Sequence, residues 1–467
     1  MSSAQIYRGH VFHIAGAPDV QTADHHLVSL PDGAVVVDDE GVIAWVGSAA
    51  DLPEQYAALP VTTAGFLLPG FVDAHIHFPQ TYSVGAYGGG QLLEWLENCI
   101  FPAEARLADP AFAEKIAADF IDRRLSVGTT AAMVFGSAFP VAQDALFSAS
   151  LAAGLRTVSG RGIQTSGPPA AKPLMTSEAE AIELVAAEIE CWHGRDVLVR
   201  PERSALVQVA IVPRFSLSTT TETLAALGEL YEDVRDRGVY VHSHLSENNR
   251  PGTGEIAAVR ATYDVEHYLD TYDGLFMPGS TRGGSSLLGR RTIMAHAVHC
   301  HDDELARLAA AEASIAHCPT SQLFLGSGTM PWRRTIDAGV TVAMGTDVGA
   351  GDEWLISRVL AAGYGVHMTE PGDAAVSIGP AELLFSGTLA GARALDQEQL
   401  FGNFDVGKEA DLLLIDPERF PALDGAIAGG IRADDEDLAA RQTLFALLNG
   451  LREPAISGVV VRGRRVR

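Results

Sequence analysis

The feature that most constrains the fold is a repeat of short apolar segments, each followed by an alanine-rich stretch with helical periodicity. The eight segments are FLLPGFVDAHIH (66–77), GTTAAMVFG (128–136), LRTVSGRGI (155–163), LVQVAIVPR (206–214), GVYVHSHLSE (238–247), RTIMAHAVHC (291–300), ASIAHCP (313–319) and VTVAMGTD (340–347). Strands that alternate with helices favour parallel β/α units over an antiparallel meander. The sequence therefore predicts an α/β protein with a (β/α)8 barrel of the TIM type, and an open doubly wound sheet is the alternative.

Both ends of the chain contain short β-rich runs that lie outside this repeat. They are QIYRGHVFHI and GAVVVDDEGVIAWVG near the start and ISGVVVRGRRV near the end. Because neither end could easily bury a core alone, we expect the two ends to pair with each other. We predict a small β-sandwich domain from residues 1–66 with 398–467, and a barrel domain from residues 67–397.

The composition narrows the classes of partner. The sequence has 33 Lys and Arg residues against 59 Asp and Glu residues, a formal net charge of −26. A net negative charge of this size repels the polyphosphate backbone of a nucleic acid. We therefore expect a small-molecule substrate and no nucleic acid. No apolar stretch reaches the roughly 20 residues of a membrane helix, and no membrane association is predicted. The four cysteines lack paired spacing and the N-terminus lacks a signal-peptide pattern, which predicts a soluble cytoplasmic protein.

Polar side chains finish most of the predicted strands, at the end of a barrel where catalytic groups gather. His75 and His77 end the first segment, and because they are two residues apart, both can face the barrel mouth and bind one ion. The alternative is two unrelated histidines on a polar strand end. His244, His296 and Asp347 at other strand ends argue against that alternative. Nitrogen and carboxylate ligands without cysteine suit zinc, with iron or manganese as alternative occupants.

Several neighbouring residues complete the predicted site. The fourth strand ends at Arg214 with no lysine that could be carbamylated to bridge two metals, so a single ion is favoured. Glu247 follows His244 by three residues and could move protons there; an exposed loop glutamate is the alternative. His242 lies one layer deeper on the same face and is expected to fill the barrel. His317 is expected to be a hydrogen-bonded histidine at the rim rather than a substrate ligand.

A series of longer motifs narrows the chemistry further. In chain order they are PGFVDAHIHFPQ, LLEWL, FPAEARL, VPRFSLS, SHLSEN, MAH, SIAHCPTSQ, GTDVGAG and FGNFDVGKEADLLLIDP, from about residue 66 to 416. HIH and GTD mark only a superfamily, whereas LLEWL with FPAE, RFSLS and SHLSEN are more specific. Together they resemble the guanine deaminase family of the amidohydrolase superfamily. The resemblance implies a homodimer with one zinc ion per subunit that converts guanine and water to xanthine and ammonia.

The resemblance also implies a role for individual residues. The implied zinc ligands are His75, His77, His244 and Asp347. The implied catalytic residues are Glu247, which protonates the ring nitrogen, Asp347, which accepts the proton of the attacking water, and His296, which holds the water or the substrate.

The implied purine-binding residues are Gln80, Arg214, Phe215, His244, Glu247 and Asp347. Arg214 would donate hydrogen bonds to a carbonyl or a ring nitrogen, and Phe215 would offer a stacking face. Trp95 in LLEWL is either a core residue or part of the pocket wall.

Departures from the family pattern keep other substrates open. Phe78 stands where a small residue is expected, and Thr320 and Gln322 stand where asparagines are expected. A glycine-rich insertion, FMPGSTRGGSSLLG (276–289), could reshape one wall of the barrel mouth. Another aminated heterocycle, such as 8-oxoguanine or a pterin, is therefore an alternative substrate. A ring-opening amidohydrolase and a non-catalytic scaffold are the rival functions.

Overall fold

A computed structural model describes residues 4–88, 91–251, 254–274, 285–370 and 378–467. Of the glycine-rich insertion, residues 276–284 lie outside the described residues. The strands are β1 Gln5–Ile14, β2 Leu27–Val37, β3 Ile43–Ser48, β4 Val61–Pro69, β5 Phe71–His77, β6 Thr129–Phe135, β7 Arg156–Gly160, β8 Gly162–Ile163, β9 Val207–Pro213, β10 Tyr240–Leu245, β11 Thr292–His296, β12 Ser314–His317, β13 Thr341–Met344, β14 Leu412–Ile415, β15 Ile456–Val461 and β16 Arg464–Arg465.

The helices surround and connect these strands. They are α1 Leu92–Trp95, α2 Phe101–Ala105, α3 Pro110–Ser126, α4 Pro140–Ala153, α5 Glu178–Trp192, α6 Thr221–Val234, α7 Glu255–Tyr263, α8 Asp302–Ala310, α9 Pro319–Leu325, α10 Trp332–Asp337, α11 Ile356–His367, α12 Pro380–Gly387, α13 Leu389–Ala394, α14 Pro421–Ala428 and α15 Glu436–Gly450. In the part of the chain that the structure describes, none of them combines the length and apolarity needed to cross a membrane.

Eight parallel strands form a nearly closed barrel, as the sequence predicted. Their order is β5-β6-β7-β9-β10-β11-β12-β13, and the short β8 pairs with β9. The first and last strands meet through the backbone just past β13: the N–H of His77 donates to the carbonyl of Val348 at 3.0 Å, and the N–H of Asp347 donates to that of His75 at 2.9 Å. The strands are buried on both faces, which explains their continuous apolar sequences.

The first predicted segment, 66–77, is two strands rather than one. Its first residues belong to β4, which pairs with β1 and β14 outside the barrel, and its last residues form β5. Pro69 is the last residue of β4, and Gly70 alone separates it from β5. Proline lacks the N–H that would continue a ladder, which fits its place at the end of the strand. Glycine is required at the break: a Cβ on Gly70 would lie 2.2 Å from Oγ1 of Thr130.

The two chain ends pair into one sheet of seven strands, in the order β16-β15-β14-β4-β1-β2-β3. Its core includes Tyr7, Val35, Leu67, Leu412 and Val460. A small β domain from both ends was predicted as a sandwich; in the structure its strands run as one continuous sheet, because β4 pairs with strands from both ends. The division at residues 66, 67, 397 and 398 stays a prediction.

A buried arginine joins the barrel to the C-terminal segment. Nε of Arg156 in β7 donates to Oδ2 of Asp411 at 2.8 Å, and its Nη2 donates to Glu409. The guanidinium lies 4.4 Å above the ring of Phe401. Buried charges are tolerated only when they are paired and hydrogen-bonded, so this contact couples the two parts of the chain.

Replacing Arg156 with Met should destabilise the protein, because Asp411 would remain buried without its guanidinium partner. We expect the free energy of unfolding to fall by about 3–5 kcal/mol, measured by denaturant titration. The control is Arg235→Met, which removes an exposed ion pair with Glu232 and should change stability by less than about 0.5 kcal/mol. Equal effects of the two substitutions would contradict the structural role of Arg156.

Candidate active site

The four predicted metal ligands converge at the carboxyl end of the barrel. His75 and His77 lie in β5, His244 in β10, and Asp347 three residues after β13. Nε2 of His77 lies 3.1 Å from Nε2 of His75 and 3.2 Å from Nε2 of His244. Oδ1 of Asp347 lies 3.0 Å from Nε2 of both His75 and His77.

This arrangement fits one divalent cation. Ligands at about 2.0–2.2 Å from an ion in tetrahedral geometry lie roughly 3.3 Å from one another, close to the separations observed. Oδ1 of Asp347 is buried and accepts no hydrogen bond from the described residues, although it faces two histidine nitrogens. Lone pairs that face one another at this distance repel unless a cation lies between them. Three nitrogens and one carboxylate oxygen could therefore hold an ion here.

Hydrogen bonds behind the site fix the protonation of two of these histidines. Nδ1 of His242 donates to the carbonyl of Ile293 at 2.8 Å, so its Nε2 accepts from Nδ1 of His75 at 2.7 Å. Nδ1 of His244 donates to the carbonyl of Arg214 at 2.6 Å. Burial lowers the pKa of His242 and His244 well below the usual range. Nε2 of both His75 and His244 thus carries a lone pair for a metal.

His242 therefore does more than fill the barrel. It is fully buried, as predicted, and its ring also orients that of His75. The single backbone acceptor at Ile293 is what decides which of its nitrogens carries the proton.

The backbone is strained where the site is built. Ser246, His296, Ala297 and Asp347 have φ values of 47°, 73°, 50° and 52°, in the left-handed region that non-glycine residues seldom adopt. Each such residue costs of the order of 1–3 kcal/mol, and such residues cluster at functional sites. The surrounding barrel offsets this cost and fixes the direction of these side chains.

Glu247 and His296 lie beside the predicted ligands. Oε2 of Glu247 is 3.4 Å from Nε2 of His296, which is 3.7 Å from Oδ2 of Asp347. Burial and the nearby charges of Asp347 and Glu255 raise the pKa of Glu247 well above its usual range. Glu247 is therefore a neutral acid with a proton to donate. Burial lowers the pKa of His296 to about 3, and neither ring nitrogen has a hydrogen-bond partner among the described residues.

Burial alone would raise the pKa of Asp347, but the imidazoles of His75 and His77, whose Nε2 atoms lie 3.0 Å from Oδ1, outweigh that effect and hold the pKa well below the usual range. The site thus holds an ionised carboxylate and a neutral carboxylic acid on either side of His296. Environments that separate two carboxyl groups in this way are typical of acid–base catalysis.

Arg214 forms a buried network that the sequence did not indicate. Its Nη1 and Nη2 donate to the two carboxylate oxygens of Glu104 at 2.6 and 3.0 Å. Nε2 of Gln80 donates to Oε1 of Glu104 at 2.9 Å, and the N–H of Gly349 donates to Oε1 of Gln80 at 3.3 Å. Glu104 was not singled out, although it stands in the quoted motif FPAEARL. A glutamate inside an otherwise apolar run was the available signal.

A cavity that opens to solvent connects these groups. The predicted purine-binding residues that line it are Gln80, Arg214, Phe215, His244, Glu247 and Asp347. His77 lies at its base, and Leu92, Trp95 and Leu96 form an apolar wall. Trp95 is therefore part of the pocket wall, with its side chain buried against the core.

The other residues singled out from the sequence lie away from the cavity. His317 is fully buried rather than at the rim, and its Nε2 is 3.0 Å from Nε2 of His367. Nε2 of Gln322 lies 3.4 Å from Nδ1 of His317. Phe78 packs against Phe120 in the core. None of these departures from the family pattern, nor Thr320, is among the cavity-lining residues of the described chain.

Comparison with known proteins agrees with this architecture. Residues 66–466 match the model of the amidohydrolase family. The chain belongs to the amidohydrolase family.

This amidohydrolase is 38% identical over 453 residues to a probable guanine deaminase of Deinococcus radiodurans, covering 96% of this chain and 95% of that one. It is 34% identical over 399 residues to a guanine deaminase of Escherichia coli strain K12, covering 84% and 83%. The crystal structure of a guanine deaminase from C. acetobutylicum with guanine in its active site superposes with a TM-score of 0.82. That pair is 25% identical, and the match covers 99% of this chain and 100% of that one.

His242→Phe should weaken metal binding in this amidohydrolase, because phenylalanine fills similar space but cannot accept the hydrogen bond of His75. We expect a 10- to 100-fold loss of affinity, of the order found when the partner of a metal-binding histidine is removed. The affinity for Zn²⁺ is measured by letting the protein compete with a chelator for the ion. The exposed His25 provides the control, His25→Phe, and unchanged affinity in His242→Phe would refute the orienting role.

Proposed function

We propose that this amidohydrolase is a zinc-dependent guanine deaminase that converts guanine and water to xanthine and ammonia. The observation that carries the proposal is one cavity lined by three of the four convergent ligands, by Glu247 with its raised pKa, and by Arg214 and Gln80 with their hydrogen-bond donors. The three ligands are His77, His244 and Asp347. The names of the similar proteins support the same substrate.

We assign His75, His77, His244 and Asp347 as the metal ligands. Nitrogen and carboxylate donors without cysteine suit Zn²⁺, with Fe²⁺ as the alternative. When bound, such an ion lowers the pKa of a water molecule toward neutrality and so supplies the nucleophile. The orphaned Oδ1 of Asp347 supports the assignment.

Three side chains then handle protons. Ionised Asp347 accepts a proton from the attacking water, and neutral Glu247 donates its proton to the ring nitrogen beside the carbon that bears the amino group. His296, 3.4 Å from Glu247, holds the water or the substrate with its free ring nitrogens. As the C–N bond breaks, the amino group takes up a proton and leaves as ammonia, and the carbon keeps the oxygen of water. Acid–base help of this kind typically gives 10²–10⁴-fold acceleration.

The opposite wall recognises the purine. Arginine pairs with O6 and N7 of guanine because both are acceptors on one edge of the base. Arg214 and Gln80 supply donors for that edge, while Phe215 and Trp95 offer aromatic faces against which the ring can pack. The substrate alternatives are 8-oxoguanine and a pterin, which share a carbonyl next to a ring nitrogen.

The homodimer and the cytoplasmic location stay predictions. The dimer rests on the family resemblance alone. The cytoplasm rests on the spacing of the cysteines, and in the structure Cys99, Cys191, Cys300 and Cys318 are all free thiols.

The function is tested with the zinc-loaded protein and its Glu247→Gln variant. We expect the wild type to release one xanthine and one ammonia per guanine. Chromatography measures the xanthine, and an ammonia assay measures the ammonia. The variant should keep its zinc content, because Glu247 is not a ligand, and should lose at least about 100-fold in kcat, because an amide has no acidic proton to give.

The control is Glu222→Gln, which removes a carboxylate from the exposed start of α6 and should leave turnover unchanged. Full activity in Glu247→Gln would remove Glu247 as the proton donor. Hydrolysis of a lactam or hydantoin without any xanthine from guanine would instead favour the ring-opening amidohydrolase and overturn the proposed substrate.

A further inference from the structure

Glu104 provides the negative charge that balances Arg214. The two side chains are only 4% and 3% exposed, and in the described part of the chain the guanidinium donates hydrogen bonds to Glu104 alone. Phe101 and Phe135 flank the guanidinium, with ring centroids 5.1 and 5.4 Å away. A permanently charged group in such surroundings requires a paired anion, so the position of Arg214 depends on Glu104.

Glu104 also fixes which way the amide of Gln80 points. The amide oxygen accepts from the N–H of Gly349, and the amide nitrogen donates to Glu104. Rotating the amide by 180° would place its NH₂ against the N–H of Gly349 and its oxygen against the carboxylate. Both contacts would then be repulsive, so Gln80 keeps its nitrogen on the Glu104 side.

The carboxylate itself is hidden from the cavity. Arg214 and Gln80 line the cavity, whereas Glu104 is not among the lining residues and stands behind them. Glu104 occupies two of the five guanidinium donors and one of the two amide donors, which leaves three N–H groups on Arg214 and one on Gln80. The wall therefore presents N–H donors to the ligand.

A donor wall discriminates between purines at one edge. O6 and N7 of an oxo-purine both accept hydrogen bonds, whereas an amino-purine places an N–H₂ donor where the oxygen would be. Donors that face donors leave buried groups unpaired, which is the strongest basis for rejecting an analogue.

We propose that Glu104 is a positioning residue that turns this wall into a donor surface and thereby selects purines with an oxygen at position 6 over purines with an amino group there. The inference rests on the proposed function, since it assigns the edge of the purine that faces away from the reacting carbon. Glu104 acts through Arg214 and Gln80 and does not touch the substrate.

The test is the binding of hypoxanthine and adenine to the zinc-loaded full chain, measured by titration calorimetry with the wild type and Glu104→Gln. We expect the wild type to bind hypoxanthine at least about 100-fold more tightly than adenine. In the variant, which no longer fixes the amide of Gln80, that ratio should fall at least about 10-fold, and the KM for guanine should rise at least about 10-fold. General damage to the pocket would weaken both ligands and leave the ratio unchanged.

The control is Glu114→Gln on the exposed face of α3, which removes the same charge and should change neither ratio nor KM. An unchanged ratio in folded, zinc-loaded Glu104→Gln overturns the inference. If that variant does not fold, Glu104→Asp decides, because the shorter carboxylate cannot reach both partners: a KM for guanine raised about 10-fold supports the inference, and an unchanged KM overturns it.

Failure of the proposed function is a separate result. Wild type that binds hypoxanthine selectively but forms no xanthine from guanine would refute the deaminase and keep the role of Glu104. If the wild type forms xanthine but Glu104→Gln leaves the preference for hypoxanthine over adenine unchanged, the deaminase stands and the role of Glu104 is refuted.

Discussion

The site depends on four potential metal-ligand atoms, three histidine nitrogens and one carboxylate oxygen, that the barrel brings close together at its buried mouth. Without a cation, the nitrogens of His75, His77 and His244 and the oxygen of Asp347 would repel one another. Closure of the barrel holds them there, because the same residues whose side chains converge also carry the hydrogen bond between the first and last strands, from the N–H of Asp347 to the carbonyl of His75. Folding of the barrel therefore brings together the four groups that could hold a metal ion.

Around that centre, burial shifts the pKa of several titratable groups. Histidines that are hydrogen-bonded to backbone carbonyls stay neutral and keep Nε2 free. Both Glu247 and Asp347 are buried carboxyl groups, but the pKa of Glu247 is raised and that of Asp347 is lowered, because Asp347 lies against the imidazoles of His75 and His77. The permanent charge of Arg214 is compensated by Glu104, as that of Arg156 is by Asp411. Each of these buried guanidinium groups thus has a carboxylate partner that also fixes its orientation.

Local pattern was enough to predict the barrel and the residues at its mouth. Apolar segments that alternate with helices define parallel strands. The carboxyl ends of those strands meet at one end of the barrel, so they bring His75, His244 and Asp347 together independently of the loop conformations. What pattern could not predict depends on contacts between distant residues. The break at Pro69 and Gly70 follows from the packing of Thr130, and the single terminal sheet follows from the pairing of β4 with both chain ends. Glu104 lies 110 residues from Arg214, so no spacing rule connects them.

The account is tested most directly by titrating metal-free protein with Zn²⁺ while measuring xanthine formed from guanine. If His75, His77, His244 and Asp347 share one catalytic ion, activity should be absent at first, rise in proportion to added zinc, and stop rising at one zinc per chain. Full xanthine production by protein shown to contain no metal would contradict the account, as would a plateau reached only at two ions per chain.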